Sequence, residues 1–246
     1  MFSGEQHIKI ANMMAAEIRR RLEGLADPER AEILRRFFKT GPGEYGEGDM
    51  FRGIRVPQLR KLCRDISRAG VDEAVGLLAS GWHEDRLLAL LLLVELYKKP
   101  DEAHRTLIYM HYCAHTDRIN NWDLVDLSCP RIVGCHLQAR DRSALYRFAL
   151  SESLWERRIA IVSTFHFIRA GDFGDTLAIA EKLMGDKEDL IHKATGWMLR
   201  EVGKRDVEVL EGFLSENYDG MPRTTLRYAI EKLPEPRRQA WLKGRV

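Results

Sequence analysis

The sequence repeats a helical pattern at a near-constant interval, and this period constrains the fold more than any other feature. Successive segments are 36, 36, 35 and 34 residues apart, and they begin at Arg86, Trp122, Arg158, Lys193 and Arg227. A period of this size, carried by helices, is typical of stacked two-helix units of the HEAT type. We therefore predict an all-α fold, an α-α superhelix built as a solenoid of HEAT-like repeats.

Helical patterns and short loops cover the rest of the chain, and no run of alternating apolar and polar residues indicates a strand. We expect helices over residues 5–24, 29–39, 56–68, 71–80, 84–98, 101–115, 121–137, 141–150, 153–169, 173–184, 188–204, 206–216, 222–232 and 235–243. A single domain over 1–246 is predicted. It comprises an amino-terminal helical pair (1–39), a glycine-rich loop (39–53) and the repeats (56–246).

Composition and charge limit the class of protein without identifying it. Hydrophobic residues make up 45% and charged residues 31% of the chain, as in soluble globular proteins. No apolar run reaches the ~18 residues that cross a bilayer, and no secretory signal is visible. We expect a cytoplasmic protein without membrane contact. Because the net charge is only +2, any nucleic-acid surface must come from basic residues gathered on one face.

The cysteines show no metal-binding pattern. No CxxC spacing occurs, and we expect small buried hydrophobic residues in a reducing compartment at Cys63, Cys113, Cys129 and Cys135. In the run HYCAH (111–115), two histidines flank a cysteine, but no second ligand pair follows at a suitable distance. We therefore expect neither a metal nor a cofactor.

The one long irregular stretch is the glycine-rich loop, Lys39–Gly53, which contains five glycines and one proline. A loop of this length inside a compact protein is more often functional than idle. Its backbone amides are able to approach a phosphate, but it matches no Walker or Rossmann pattern and precedes no strand. Nucleotide binding is therefore disfavoured.

Asp126 interrupts the apolar register of the repeat. It stands four residues into its segment, where the flanking segments have Leu90 and Val162. Desolvating a carboxylate is expensive, so an interior aspartate must be paired or functional. Trp122 shares its helix face, whereas Asp123 is rotated by about 100° and is expected to solvate or cap the helix start. Alternatively, Trp122 fills a core gap and Asp126 pairs with a neighbouring arginine.

Arg158 occupies the repeat position of Trp122 in the next segment, and Trp155 shares its face. Since adjacent repeats stack, Arg158 is expected beside Trp122 and Asp126. Two roles remain open for it, as the partner of Asp126 or as a planar fork that holds a phosphate. The two roles are compatible.

The following segment divides into an apolar and a basic face. The apolar stripe consists of Ile191, Ala194, Met198 and Val202. The opposite side, here called the basic stripe, consists of Lys193, Trp197, Arg200 and Lys204. Basic residues around a tryptophan suit a nucleic-acid backbone with an exposed sugar or base, and a purely structural Trp197 is the alternative.

At these residues the chain resembles the AlkD-like DNA alkylation repair proteins, a HEAT-like family of alkylpurine DNA glycosylases. The matching segments are FFKTGPGEYGEGDMFRGIRVPQLRKL, NNWDLVDLS, LWERRIAIV, HKATGWMLREVGKRD and MPRTTLRYAIEKLP. The resemblance implies that Trp122 and Asp126 are the family's catalytic tryptophan and aspartate. It also implies that Arg158 is the active-site arginine and that Trp197 lines the DNA-binding cleft. The glycine-rich loop belongs to one branch of the family.

The resemblance implies a monofunctional DNA glycosylase of base excision repair that releases cationic N3- or N7-alkylated purines. Its partner would be double-stranded DNA cradled in a concave face, and we expect a monomer, associated with the nucleoid through DNA. Bond cleavage builds oxocarbenium character on the sugar, which a carboxylate at Asp126 and the indole faces of Trp122 and Trp197 stabilise. Trp155 and the basic stripe would contact DNA. The alternatives are a non-catalytic HEAT-repeat protein that recognises damaged or branched DNA, and a protein-interaction scaffold.

Overall fold

A computed structural model describes residues 15–66 and 68–244 of the chain, so the first ten residues of the predicted helix 5–24 lie outside it. Its internal contacts divide the chain into two compact units between Ser128 and Cys129. Helices and short connections build both units, and no strand occurs in the described ranges apart from an isolated bridge of Met50 with Trp82. The all-α prediction is confirmed, and the single domain stays a prediction.

The first unit is organised around one long buried helix. Its helices are α1 (15–24), α2 (Pro28–Phe37), α3 (Val56–Asp65), α4 (Val71–Leu78), α5 (His83–Tyr97), α6 (Glu102–Ala114) and α7 (Trp122–Ser128). Every residue of α5 except Glu95 is buried. Helix α5 packs against α3, α4, α6 and α7, because beyond its charged first turn it is apolar on all sides and therefore needs neighbours all around.

The second unit begins with a π-helix, Pro130–Gly134, and continues through helical pairs. Its helices are α8 (Cys135–Leu137), α9 (Ser143–Ala149), α10 (Leu154–Ser163), α11 (Phe165–Arg169), α12 (Gly174–Lys182), α13 (Asp189–Gly203), α14 (Val207–Asn217), α15 (Arg223–Ala229) and α16 (Glu235–Lys243). The helices α10, α13 and α15 carry equivalent repeat positions and pack against one another in that order. This is the stacking expected of consecutive repeats.

Close helix contact in the second unit depends on Gly196. A Cβ atom at this position of α13 would lie 2.5 Å from the carbonyl oxygen of Thr225 on α15. The two helices also share a hydrogen bond from Thr225 Oγ1 to the carbonyl of His192. The tryptophan beside this glycine is consequently carried on a firmly packed helix.

Helix boundaries follow the local chemistry, with two departures from prediction. The carboxylates of Asp101 and Asp206 cap α6 and α14 by accepting hydrogen bonds from backbone amides of the first turn. The continuous helix predicted over 121–137 is wrong, because Pro130 has no N–H to donate and a π-helical segment follows it. The helix predicted over 153–169 is divided at Thr164, whose Oγ1 donates to the carbonyl of Ile161.

No disulfide links the four cysteines, of which Cys63 and Cys129 are buried. Among the described residues, no helix is both long enough and apolar enough to span a membrane.

Candidate functional site

The short helix α7 carries both Trp122 and Asp126 on one side. Its opposite face is buried and consists of Leu124, Val125 and Ser128. Trp122 and Asp126 are themselves partly exposed. The repeat register suggested a fully buried position for Asp126. In the structure Asp126 is instead partly exposed, where the core of the first unit meets solvent.

Trp122 belongs to an aromatic cluster, which it forms together with Phe37, Phe38, Phe51 and His83. Phe38 stacks on the indole with ring centroids 5.4 Å apart, and Phe37 meets it edge-on at 5.9 Å. Phe51 lies beyond Phe38 at 5.1 Å. The alternative that Trp122 fills a core gap is thus correct for one side of the ring, while the residue as a whole remains partly exposed.

The glycine-rich loop is folded on itself between Phe38 and Phe51. The amide of Gly41 donates to a carboxylate oxygen of Glu44, and the amide of Gly43 donates to one of Glu47, both at 2.9 Å. These two carboxylates take the place that a bound phosphate would need. The expectation against nucleotide binding stays a prediction.

The first turn of α5 anchors the carboxyl end of the glycine-rich loop. Glu84 accepts hydrogen bonds from the backbone amides of Arg52, Gly53 and Ile54 at 2.8–3.1 Å. Asp85 accepts two hydrogen bonds from the guanidinium of Arg52, at 2.7 and 3.1 Å. Gly53 has a φ of +84°, and a Cβ there would lie 2.0 Å from the carbonyl of Asp27, so only glycine fits this approach to α2.

Asp49 of the glycine-rich loop links α5 to the start of α7. One of its oxygens accepts from Nδ1 of His83 at 2.8 Å, and Nε2 of the same imidazolium donates to Asp123 at 2.9 Å. The other oxygen accepts from Arg86, which also donates to the side-chain oxygen of Asn120 at 3.1 Å. Asp123 was expected only to solvate or cap the helix start, yet it also binds a buried cation.

This Asp49 network keeps His83 protonated. Burial by itself would lower the pKa of His83, but the carboxylates of Asp123 and Asp49 outweigh burial and raise the pKa to about 9. Burial likewise acts to raise the pKa of Asp49, and the opposing contacts with His83 and Arg86 leave that pKa below its usual value. Two carboxylates and two cations therefore balance one another beneath α7.

In the second unit, Arg158 is buried at 6% exposure. Its Nη1 donates to the carbonyl of Leu190 at 2.7 Å and ties α10 to the first turn of α13. Trp155, three residues earlier, is partly exposed. This hydrogen bond supports a structural role for Arg158. The partner in this bond is a main-chain carbonyl, and the predicted pairing with Asp126 would be a separate contact. The placement of Arg158 beside Trp122 and Asp126 stays a prediction.

The predicted division of α13 into two faces is confirmed. The buried residues include Ile191, Ala194, Met198 and Val202. The partly or fully exposed residues include Lys193, Trp197, Arg200 and Lys204. Phe165 packs beside Trp197 with ring centroids 6.0 Å apart. The tryptophan is thus supported from one side and accessible from another.

Each cation of the basic stripe already has a carboxylate partner. The pairs are Lys193 with Asp189 at 2.8 Å, Lys204 with Glu201 at 2.6 Å, and Arg200 with Glu231. Only the Lys193–Asp189 pair is exposed on both sides, and exposed pairs contribute about 0–1 kcal/mol. The side chains of Arg200 and Glu201 are 17% and 9% exposed. A phosphate is therefore able to replace the carboxylate partner of Lys193 at small cost.

The Asp49 network was not identified from the sequence. The available signal was the polar run His83–Arg86 at the start of an otherwise apolar helix. Charged side chains on a buried helix must find buried partners. Nothing in the local pattern indicates that those partners lie in the glycine-rich loop and at the start of α7.

The family model described as DNA alkylation repair enzyme matches residues 18–233 of the chain. Among solved structures, a predicted DNA alkylation repair enzyme from Enterococcus faecalis is similar, with a TM-score of 0.65 and 16% sequence identity. The similarity covers 85% of this chain and 97% of that one, and at this identity it concerns the fold alone. No curated protein matches the sequence.

Proposed function

The chain belongs to the family of DNA alkylation repair enzymes, and from this premise we propose that it hydrolyses the N-glycosidic bond of cationic N3- and N7-alkylated purines in duplex DNA. It acts as a monofunctional glycosylase that requires neither metal nor cofactor. Membership of this family implies DNA as the substrate and disfavours the protein-interaction scaffold.

The observation that carries the proposal is the arrangement of α7. Asp126 and Trp122 share one side of this helix at a spacing of one turn, and both are partly exposed. The aromatic cluster fixes one face of the indole. A carboxylate and a flat aromatic ring are therefore presented together to whatever approaches the helix.

The chemistry needs few groups from the protein. An alkylated purine is already cationic, so the electron pair of the C1′–N9 bond neutralises the departing base and no general acid is required. Water forms the new bond to C1′, and its proton passes to Asp126 or to solvent. The carboxylate also stabilises the positive charge that develops on the sugar. Trp122 packs against the sugar, where its π-face favours that charge.

In the second unit, Trp197, Trp155 and the basic stripe hold the DNA. The three cations exchange their carboxylate partners for phosphates, and the indole of Trp197 packs against a sugar or base. Arg158 contributes to binding a phosphate near the lesion. In the same residue the guanidinium also ties α10 to α13 through the carbonyl of Leu190.

A direct test is the release of 7-methylguanine and 3-methyladenine from methylated duplex DNA. We expect release by the parent protein and a single-turnover rate at least about 100-fold lower for Asp126→Asn. Asp117→Asn is the matched control, because Asp117 is an exposed aspartate of the same unit outside α7. It should excise at the parent rate.

Equal release by the parent and Asp126→Asn would remove the carboxylate from the mechanism. Release by neither, with DNA binding intact, would support the second candidate, a non-catalytic protein that recognises damaged or branched DNA.

A further inference from the structure

Two hydrogen-bonded paths run from the glycine-rich loop to the residues on either side of the candidate catalytic tryptophan. Both begin at the carboxylate of Asp49. One passes through His83 to Asp123, and the other passes through Arg86 to Asn120. The first turn of α7 and the segment that leads into it are therefore each attached to the same loop carboxylate.

The aromatic cluster makes a third connection. The His83 ring packs against both Phe51 and Phe38, with centroid distances of 4.6 and 4.9 Å, and the two phenyl rings lie 5.1 Å apart. Phe38 in turn contacts Trp122 at 5.4 Å. An imidazolium against aromatic faces is attracted by their quadrupoles. The same buried cation thus contacts both the ring that supports the indole and the helix turn that carries it.

We propose that His83 is a positioning residue that fixes the orientation of the Trp122 indole, with the glycine-rich loop as its support. His83 is 2% exposed and does not touch the substrate. Its effect on excision rests on the proposed function, whereas its effect on the indole does not. Asp49 and Phe51 are consequently the residues of the loop that support the site.

The physical reason lies in the length of α7. A helix of seven residues has little internal stiffness, so its orientation depends on what holds its first turn. Misplacing a reacting group by about 1 Å costs on the order of 100-fold in rate. Releasing His83 from Asp123 is therefore expected to slow the chemical step while the DNA-binding surface is retained.

The test uses the full chain labelled with 5-fluorotryptophan. The protein has five tryptophans, and the 19F resonance of Trp122 is assigned by its loss in Trp122→Phe. In His83→Gln, both N–H donors sit on one nitrogen and the positive charge is lost, so the bridge from Asp49 to Asp123 through two ring nitrogens is broken. We expect the Trp122 resonance to shift or broaden. Single-turnover excision should fall at least about tenfold, with DNA affinity changed by less than about twofold.

Arg52→Gln is the matched control, because it breaks an ion pair with Asp85 on the same helix turn and the same loop without touching α7. Arg52 lies over the ring of Trp82, with its guanidinium carbon 4.6 Å from the ring centroid. This variant should move the resonance of Trp82, leave that of Trp122 in place, and excise at the parent rate.

A folded His83→Gln protein with an unchanged Trp122 resonance overturns the proposal. If that variant fails to fold, Asp123→Asn makes the same test, because its carboxylate is the more exposed end of the path. A shifted resonance in a protein whose parent form excises nothing would leave the positioning role standing and refute the glycosylase. An equal shift of Trp122 in Arg52→Gln would assign the effect to general loosening of the loop, and would also overturn the proposal.

Discussion

Phe38 stacks on the indole of Trp122, with ring centroids 5.4 Å apart and planes inclined by 29°. Phe37 contacts the same indole edge-on, yet it is 60% exposed whereas Phe38 is 6% exposed. Two adjacent phenylalanines thus meet one tryptophan from the core and from solvent. Phe38 supports the indole from the core, whereas Phe37 borders it on the solvent side.

Truncating Phe38 should destabilise the protein far more than truncating Phe37. Phe38→Ala leaves a cavity beneath Trp122 and is expected to lower the free energy of unfolding by about 3 kcal/mol. Phe37→Ala removes an exposed ring and should cost less than about 1 kcal/mol. Urea unfolding at neutral pH measures both, and equal losses would contradict the packing described for α7.

Neutralising the basic stripe should change the salt dependence of DNA binding. Lys193→Gln and Arg200→Gln each remove one proposed phosphate contact, so the slope of log affinity against log salt should decrease by about 1 in each variant. Fluorescence anisotropy with a labelled duplex at several salt concentrations provides the slope. Lys182→Gln, on the exposed side of α12, is the control and should keep the parent slope. Unchanged slopes in the stripe variants would argue against this DNA surface.

Arg158 and its neighbour Arg157 should separate binding from stability. Arg157 donates to Asp186 at 2.6 Å and to main-chain carbonyls, so Arg157→Ala should lower Tm and leave the DNA affinity of the folded protein unchanged. Arg158→Ala should lower both, because it removes the bond to Leu190 and the proposed phosphate contact. Thermal unfolding and anisotropy below both Tm values are the measurements. Parent-like affinity in Arg158→Ala would leave that arginine a structural role only.

The protonation of His83 predicts a loss of stability at alkaline pH. Its pKa is raised from 6.5 to about 9 in the folded protein, chiefly by Asp123 and Asp49 working against burial, with Arg86 on the same helix as the opposing charge nearby. The folded state therefore binds more protons than the unfolded state between these values. The stabilisation is complete below pH 6.5 and is lost as the pH rises through about 9.

We expect the Tm of the parent protein to fall between pH 7 and pH 10 more steeply than that of His83→Gln, which has no proton to lose at this position. Differential scanning at a series of pH values compares the two proteins. Parallel pH profiles would mean that His83 does not carry this charge.

Much of the fold was predictable, because the signals that determine it are local and periodic. The repeat period can be read directly from the sequence. The caps at Asp101 and Asp206 and the two faces of α13 depend on neighbours within a few residues. The pairing of Trp122 with Asp126 on one side of a helix was predictable for the same reason.

The support beneath α7 was not predictable in this way. His83 binds partners 34 residues before it and 40 residues after it, and no spacing rule connects them. The repeat register aligns Arg86 with Trp122 but omits the glycine-rich loop, which has no counterpart in the other repeats. Asp126 was expected inside the core for a related reason, since the register cannot tell a buried position from one at the end of a short helix.

Both carboxylate oxygens of Asp49 accept hydrogen bonds from buried cations, so the length of the glycine-rich loop cannot change independently of those cations. Shortening the glycine-rich loop would remove this carboxylate together with Phe51. The buried imidazolium of His83 would keep Asp123, and the guanidinium of Arg86 would keep Asn120 and the carbonyl of Ser80, but no second carboxylate would balance the two cations. Such a chain would have to replace both cations in the same evolutionary step or lose stability. The glycine-rich loop and the start of α5 are therefore expected to covary. A histidine and an arginine at the positions of His83 and Arg86 should accompany the long loop in related sequences.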